Sequence, residues 1–93
     1  MLRASVLIPT HERRATLPFA VKSVQSQGID EIEILIVGDG VDDRLRAIIE
    51  KLRADDSRIK FFDFPKGPRH GEIYRDAVLR QARGRIVCYQ CDD

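Results

Sequence analysis

Two adjacent carboxylates, Asp92 and Asp93, follow an apolar run of strand length at residues 86–89. Carboxylate oxygens are the ligands that Mg²⁺ and Mn²⁺ prefer, and these cations leave coordination positions for the phosphate oxygens of a substrate. A strand that ends in paired acids therefore predicts a divalent-cation site. Taken alone, such a pair is more often part of a solvated loop or a chain end. The prediction of a metal site therefore depends on which other polar residues lie near it.

Polar residues also follow two other apolar runs. The run at residues 4–8 is followed by Pro9, Thr10, His11 and Glu12. The run at residues 32–37 leads to Asp39, which lies between two glycines. A carboxylate accepts hydrogen bonds and donates none, so Asp39 suits the N–H or O–H groups of a nucleobase or ribose. A turn residue that bonds its own backbone is the alternative for Asp39. His11 is a candidate ligand contact or general base.

A basic stretch runs from the loop before the third helical segment into the start of that helix and contains Lys66, Arg69, His70 and Arg75. Guanidinium groups match the oxygens of a diphosphate, and lysine adds a point charge. The stretch predicts a diphosphate contact, with a solvated surface as the alternative for each residue singly.

Two further motifs carry little weight. Residues 38–43 resemble a dinucleotide-binding fingerprint, but they follow the second strand, lack the third glycine and would place acids against a pyrophosphate. Cys88 and Cys91 form a CxxC motif, but residues three apart on a strand point to opposite faces. Packing of Cys88 in the core is therefore the preferred prediction.

Hydrophobic periodicity places these residues on alternating strands and helices. The predicted strands are residues 4–8, 32–37, 59–64 and 86–90. The predicted inward helical positions are Leu17, Val21 and Val24, then Leu45, Ile48, Ile49 and Leu52, and then Ile73, Ala77 and Val78 of a helix at residues 72–83. The predicted boundary residues are Pro9 after the first strand, Thr16, Pro18 and Gly28 at the first helix, Asp42 or Asp43 at the second and Gly84 after the third.

Alternating strands and helices predict an α/β fold, a three-layer, Rossmann-like parallel sheet with helices on both faces. Right-handed crossovers favour the strand order 3-2-1-4, which opens a switch point between strands 1 and 4. Ligands bind at the carboxyl ends of strands at such a point. The topology therefore predicts that His11, Asp39 and the acids after strand 4 share one rim.

Composition narrows the function classes. The 93 residues allow one domain, and a formal net charge of +1 gives no reason to expect a nucleic-acid partner. No apolar run approaches the ~18 residues of a membrane span. Two cysteines and the lack of a signal-peptide layout predict a cytoplasmic protein, or a membrane-peripheral one in a longer form. Uncovered strand edges favour a homodimer.

Six segments together resemble the family-2 glycosyltransferases, which have the GT-A fold. The stretch S-V-L-I-P-T-H-E-R at residues 5–13 resembles that family's S-V-I-I-P-T-Y-N-R, and residues 23–27 resemble its S-V-L-x-Q. The later matches are residues 33–40 to E-I-I-V-V-D-D-G, residues 74–76 to A-R-N, residues 82–86 to A-x-G-E-Y-I and residues 91–93 to the DxD-type metal motif. The chain departs from the family at His11, Glu12, Gly38 and Gln90.

The resemblance implies a glycosyltransferase that uses a nucleoside-diphosphate sugar, with UDP-sugars as the expected donors and an unknown acceptor. The implied nucleotide-binding residues are Pro9, Thr10, His11, Glu12, Asp39, Arg69, Arg75 and Asp92. Asp39 would hydrogen-bond the base. Asp93, with Asp92, would ligate Mn²⁺ or Mg²⁺, which acts as a Lewis acid on the leaving nucleoside diphosphate.

The resemblance also implies that residues 1–93 form the nucleotide-sugar-binding half of a truncated GT-A domain, without the acceptor half. No catalytic residue is expected in the chain itself, because the family's general base lies beyond residue 93. The alternative is a catalytically inactive nucleotide-binding or interaction module. A receiver-like domain fits less well, because no lysine follows the third strand in the place that such a domain requires.

Overall fold

The structure, a computed structural model, describes residues 2–11, 16–28, 30–67, 72–84 and 86–89. Its elements alternate as predicted: β1 Ala4–Thr10, α1 Leu17–Gln25, β2 Ile32–Asp39, α2 Asp43–Asp55, β3 Ile59–Phe64, α3 Glu72–Leu79 and β4 Ile86–Tyr89. In the part of the chain so described, no helix is long and apolar enough to cross a membrane.

The four strands form one sheet in the order β3-β2-β1-β4, which confirms the predicted topology. All three neighbouring pairs are parallel. Thr10 of β1 lies opposite Gly38 of β2, and Asp39 lies opposite Phe64 of β3. Because parallel strands all end at the same edge, the residues after β1, β2 and β3 meet at one rim.

Two apolar clusters cover the two faces of the sheet, which gives the predicted three layers. The larger cluster joins alternate residues of β1 and β2 to α1 and α2, and includes Val6, Ile8, Ile34, Ile36, Leu17, Val21, Leu45 and Ile49. The smaller cluster joins the other face to α3, and includes Leu7, Leu35, Val37 and Val78. Every residue of β2 is buried, so this strand is the centre of both clusters.

The helix boundaries agree in part with the prediction. Asp42 is the N-cap of α2, since its Oδ1 accepts a hydrogen bond from the Leu45 N–H at 2.8 Å. Thr16 precedes α1 and a proline occupies its first turn, but the Thr16 side chain makes no capping hydrogen bond. The C-cap of α1 is Ser26 and not Gly28, because the helix ends at Gln25.

The predicted end of the first strand at Pro9 is wrong. β1 continues through Pro9, which lies opposite Val37, to Thr10. Among the described residues Pro9 has a ladder partner on β2 alone, since the described part of β4 pairs with β1 only as far as Leu7. A strand position with fewer ladder partners tolerates the missing N–H of a proline more readily.

The predicted inward face of α3 is confirmed at Val78 and wrong at Ile73 and Ala77. Val78 is fully buried, but Ile73 is 62% exposed and Ala77 lies on the exposed side as well. The helix instead turns Tyr74 inward, where its ring stacks on Phe64 with 4.3 Å between the ring centroids. Ile73 with Ala77 and Tyr74 with Val78 have the same i, i+4 spacing, and the aromatic ring buries more area.

The prediction that Cys88 packs in the core is contradicted, because this side chain is exposed. Val87 beside it is 37% exposed. Among the described residues β4 has a neighbour on one side only, so its side chains are less covered than those of β1 and β2.

A buried carboxylate on β2, Glu33, holds the amino end of the sheet together. Its side chain is 3% exposed and accepts hydrogen bonds from the Ser5 hydroxyl of β1 at 2.6 Å and from Lys60 Nζ of β3 at 3.0 Å. The backbone N–H of Arg83, in the turn before β4, donates to the same carboxylate at 2.6 Å. The Gly84 N–H donates to Ser5 Oγ at 2.8 Å. Glu33 therefore links three strands and the turn into the fourth.

These contacts also keep Glu33 ionised. Burial alone would raise the pKa of the carboxyl group, but the hydrogen bonds from Ser5, the Arg83 amide and Lys60 outweigh it and hold the pKa below its ordinary value of 4.5.

Gly84 approaches β1 so closely that a Cβ there would overlap the backbone of Ala4 and Ser5.

A second ionic contact fixes the turn between α2 and β3. Asp56 accepts a 2.8 Å hydrogen bond from Arg58 Nη2 and a 2.9 Å hydrogen bond from Gln25 Nε2 at the end of α1. The bond from Arg58 is the main reason that the pKa of Asp56 lies far below its usual range. This contact joins α1 to the start of β3.

Gly28 and Gly40 have left-handed backbones, with φ of 72° and 67°. A Cβ at Gly28 would meet nothing within 4 Å. A Cβ at Gly40 would lie 2.8 Å from Lys66 Cβ and 2.9 Å from Lys66 Cα. Only at Gly40 does the backbone of a second loop pack against the glycine.

Glu33→Gln is expected to destabilise the chain by about 1–3 kcal/mol at neutral pH, because an amide cannot accept the hydrogen bond from Lys60 while it accepts those of Ser5 and Arg83. Since the pKa of Glu33 is lowered on folding, its contribution is complete above the ordinary value of 4.5 and is lost as the pH falls through the lowered pKa. Urea unfolding between about pH 7 and pH 2 should therefore show the difference between wild type and variant shrinking.

Glu50→Gln is the matched control for this experiment. Glu50 pairs with Arg53 at the surface, with a side chain that is 54% exposed, so the loss should stay below about 1 kcal/mol. A Glu33→Gln loss no larger than that of Glu50→Gln would contradict the role of Glu33.

Gly40→Ala and Gly28→Ala separate backbone strain from packing. Both alanines must adopt a positive φ, which costs about 1 kcal/mol, but only the alanine at position 40 also displaces Lys66. We expect Gly40→Ala to lower the free energy of unfolding by at least about 1 kcal/mol more than Gly28→Ala. Equal losses in urea unfolding would show that the two loops do not pack as described.

Candidate functional site

The site begins where β1 and β2 end side by side. His11 follows β1, and its Nδ1–H donates a hydrogen bond to the backbone carbonyl of Asp39 at 2.5 Å. A carbonyl oxygen only accepts, so the proton of this hydrogen bond lies on Nδ1. The structure therefore brings together two of the predicted site residues from different strands.

The carboxylate of Asp39 is largely buried, with 11% of the side chain exposed. Its Oδ1 accepts a hydrogen bond from the Gly67 N–H at 2.6 Å. Its Oδ2 accepts a hydrogen bond from Lys66 Nζ at 3.2 Å, and the lysine side chain is 48% exposed. Asp39 is thus an ionic acceptor that organises the loop after β3.

The β2–α2 turn is tied to the end of β3, and the loop that follows β3 packs on an aromatic stack. The Gly40 N–H donates to the carbonyl of Phe64 at 2.8 Å, which joins the β2–α2 turn to the end of β3. The rings of Phe64 and Tyr74 are stacked and nearly parallel, with an angle of 1° between their planes. A Cβ at Gly67 would overlap the Tyr74 ring, so the backbone of the loop lies directly on the stack.

Two other predicted residues lie within β1. Pro9 is half-buried and Thr10 is 4% exposed. Thr10 shares the strand face of Val6 and Ile8, which α1 and α2 cover, and its Oγ1 has no hydrogen-bond partner among the described residues. Arg75 lies on α3, next to Tyr74, with a partly buried side chain.

The remaining predicted residues, Glu12, Arg69, Asp92 and Asp93, lie outside the described residues. Across the ranges that are described, no three side chains of His, Cys, Asp or Glu come together in a way that would hold a metal ion. The metal site at Asp92 and Asp93 therefore stays a prediction. β4 does run parallel to β1, so its carboxyl end faces the same rim.

The pairing of Lys66 with Asp39 was not expected from the sequence, where Lys66 is only part of a basic stretch. The signal that would have found it is the parallel pairing of β2 with β3. This pairing sets Asp39 opposite Phe64, so a cation shortly after β3 is close to an acid at the end of β2.

A cleft of about 420 Å³ opens at the opposite end of the sheet. Its lining includes Glu33, Lys60, Arg58 and Arg83. The carboxylate of Glu33 already has three hydrogen-bond partners, so this cleft borders the structural contact and not the rim that carries Asp39.

Known proteins with similar sequences are longer than this chain. A GalNAc(5)-diNAcBac-PP-undecaprenol beta-1,3-glucosyltransferase from Campylobacter jejuni is 33% identical over 96 aligned positions, which cover 100% of this chain and 30% of that protein. The uncharacterized glycosyltransferase YfnE of Bacillus subtilis is 30% identical over 99% of this chain and 23% of its own length. The chain spans less than a third of either relative.

Solved structures share the fold. TarS from S. aureus superposes with a TM-score of 0.85 at 25% identity, over 99% of this chain and 17% of that one. The mannosyltransferase PcManGT from Pyrobaculum calidifontis, in complex with GDP-Man and Mn²⁺, gives a TM-score of 0.74 at 19% identity over 91% of this chain and 26% of its own. The second likeness bears on the fold alone.

The family comparison covers nearly the whole sequence, including β1 with its polar continuation, β2 with Asp39 and the segment after β4. Glycosyl transferase family 2 matches residues 5–93, and the chain belongs to that family.

Proposed function

We propose that this chain binds the nucleoside-diphosphate-sugar donor of a glycosyltransferase and forms the donor half of a GT-A domain. Family membership supports the reaction class. The observation that carries the proposal is the largely buried carboxylate of Asp39 at the rim. The backbone carbonyl of the same residue accepts a hydrogen bond from His11, at the end of the neighbouring strand. Such a rim, beside the switch point between β1 and β4, is where doubly wound sheets bind nucleotides.

In this proposal Asp39 recognises the nucleobase. A carboxylate accepts hydrogen bonds only, so it discriminates in favour of a base that presents an N–H. Uracil presents such a group, and a UDP-sugar is the donor that the resemblance to the family implies. Pro9, Thr10 and His11 flank Asp39 on the neighbouring strand end, and Glu12, Arg69 and Arg75 would complete the nucleotide contacts.

Asp92 and Asp93 would supply the metal ligands. Two successive carboxylates offer the oxygen donors that Mn²⁺ and Mg²⁺ prefer. A bound cation would stabilise the negative charge of the departing nucleoside diphosphate.

The transfer itself requires a second partner. An acceptor hydroxyl oxygen forms the new bond to the anomeric carbon as the bond from that carbon to the diphosphate breaks, and a general base takes the hydroxyl proton. That base is expected beyond residue 93, in the part of the relatives that this chain does not span. Residues 1–93 would then supply the donor-binding groups of the reaction.

Calorimetric titration of UDP, with and without Mn²⁺, tests this proposal. We expect tighter binding with Mn²⁺, and we expect Asp93→Ala to remove the metal dependence. Asp39→Asn should weaken UDP binding about tenfold both with and without Mn²⁺. The reason is that an amide is uncharged and has one acceptor oxygen, where the carboxylate has two.

Asp55→Asn and Asp55→Ala are the matched controls, since Asp55 ends α2 and is exposed. Both should bind UDP as the wild type does. A folded wild-type chain that binds neither UDP nor GDP would refute donor binding and favour the inactive-module alternative. UDP binding without any effect of Mn²⁺ would refute the metal assignment alone.

A further inference from the structure

We propose that Lys66 exchanges partners when a nucleotide binds, leaving the carboxylate of Asp39 for the diphosphate of the ligand. This inference rests on the proposed function, because it concerns the same rim. It assigns Lys66 as a ligand-binding and specificity-determining residue that favours nucleoside diphosphates over nucleosides.

The first step is that Asp39 holds two donors of different kinds. The Gly67 N–H, at 2.6 Å from Oδ1, belongs to the backbone. Lys66 Nζ, at 3.2 Å from Oδ2, lies at the end of a flexible side chain. A nucleobase N–H that approaches this largely buried carboxylate competes with these donors for its lone pairs, and the longer contact, from a mobile side chain, gives way more easily.

The second step is that the loop backbone is held in place independently of this ion pair. The backbone of Lys66 packs on Gly40, within 3.0 Å of where a Cβ would lie. The backbone at Gly67 lies against the ring of Tyr74, which is stacked on Phe64. The ammonium group of Lys66 also donates to the Gly67 carbonyl at 2.9 Å, so we expect it to turn away from Asp39 while the Gly67 N–H continues to hold that carboxylate.

The third step concerns charge. The side chain of Lys66 is 48% exposed, so its pairing with Asp39 is a partly solvated one and contributes little to stability. A diphosphate carries more negative charge than one carboxylate and offers several acceptor oxygens to an ammonium group. A nucleoside diphosphate therefore offers Lys66 a better partner, whereas a nucleoside only competes with it for Asp39.

Lys66→Met tests this exchange, because it removes the ammonium and keeps most of the apolar stem. Uridine should bind about two- to fivefold more tightly to the variant, since the acceptor site on Asp39 is vacated. UDP should bind about five- to tenfold more weakly, since a charge-assisted contact to phosphate is lost. Both affinities are measured by NMR titration of the whole chain. The chemical shift of the Gly67 amide reports on Asp39, because that amide donates a hydrogen bond to the carboxylate.

Two further variants complete the design. Lys66→Arg keeps the charge and should retain UDP affinity within about twofold. Lys51→Met removes one positive charge from the exposed side of α2 and should change neither affinity. Urea unfolding of each variant checks that the fold is intact.

Opposite changes for uridine and UDP support the exchange, because a merely structural role of Lys66 would move both affinities in the same direction. If wild-type chain binds UDP but Lys66→Met changes the two affinities in parallel or not at all, the exchange is wrong and the proposed function stands. If the folded wild type binds neither ligand, the proposed function is wrong and the exchange falls with it.

Discussion

The buried carboxylate of Glu33 is the contact on which the arrangement of this sheet depends. A buried charge is costly unless it is fully paired, and here the hydroxyl of Ser5, the ammonium of Lys60 and the Arg83 amide provide that pairing. These donors come from β1, β3 and the turn into β4, so they satisfy Glu33 together only when the strands lie in the native order. Apolar packing between β1 and β2 would tolerate other neighbours, whereas an ionised group in the core does not. We infer that Glu33 specifies the topology more than it adds to stability.

The two acids of β2 show how one residue type serves two purposes through its surroundings. Glu33 lies at the amino end of the strand, where its partners come from three separate segments and leave 3% of the side chain exposed. Asp39 lies at the carboxyl end, where one partner is a rigid amide and the other is a half-exposed lysine. The first environment fixes a strand order. The second places a carboxylate with one partly solvated partner at the end of the sheet where doubly wound folds bind their ligands.

Much of this fold is predictable from the sequence, because strand-length apolar runs alternate with amphipathic segments and crossover handedness limits the strand order. The inward face of α3 was not predictable, since Ile73 and Tyr74 both begin i, i+4 pairs and only the position of β3 decides between them. The location of Asp39 at the rim follows from its place after a strand. Its pairing with Lys66 does not, because that contact depends on the register of β2 against β3 and on the course of the loop after β3.

Every residue of β2 is buried, so the number of residues in the strand fixes the distance between the acids near its two ends. Glu33 and Asp39 are six positions apart, and because side chains alternate along a strand both lie on the same face, about 20 Å apart at the usual rise of a strand. Inserting or deleting one residue between them would reverse the face of one acid relative to the other and would break either the topological anchor or the rim. A loop has no alternation of faces to preserve, so a change in its length does not reverse an acid in this way. Changes of length within this family should therefore accumulate between the elements, while β2 keeps its residue count.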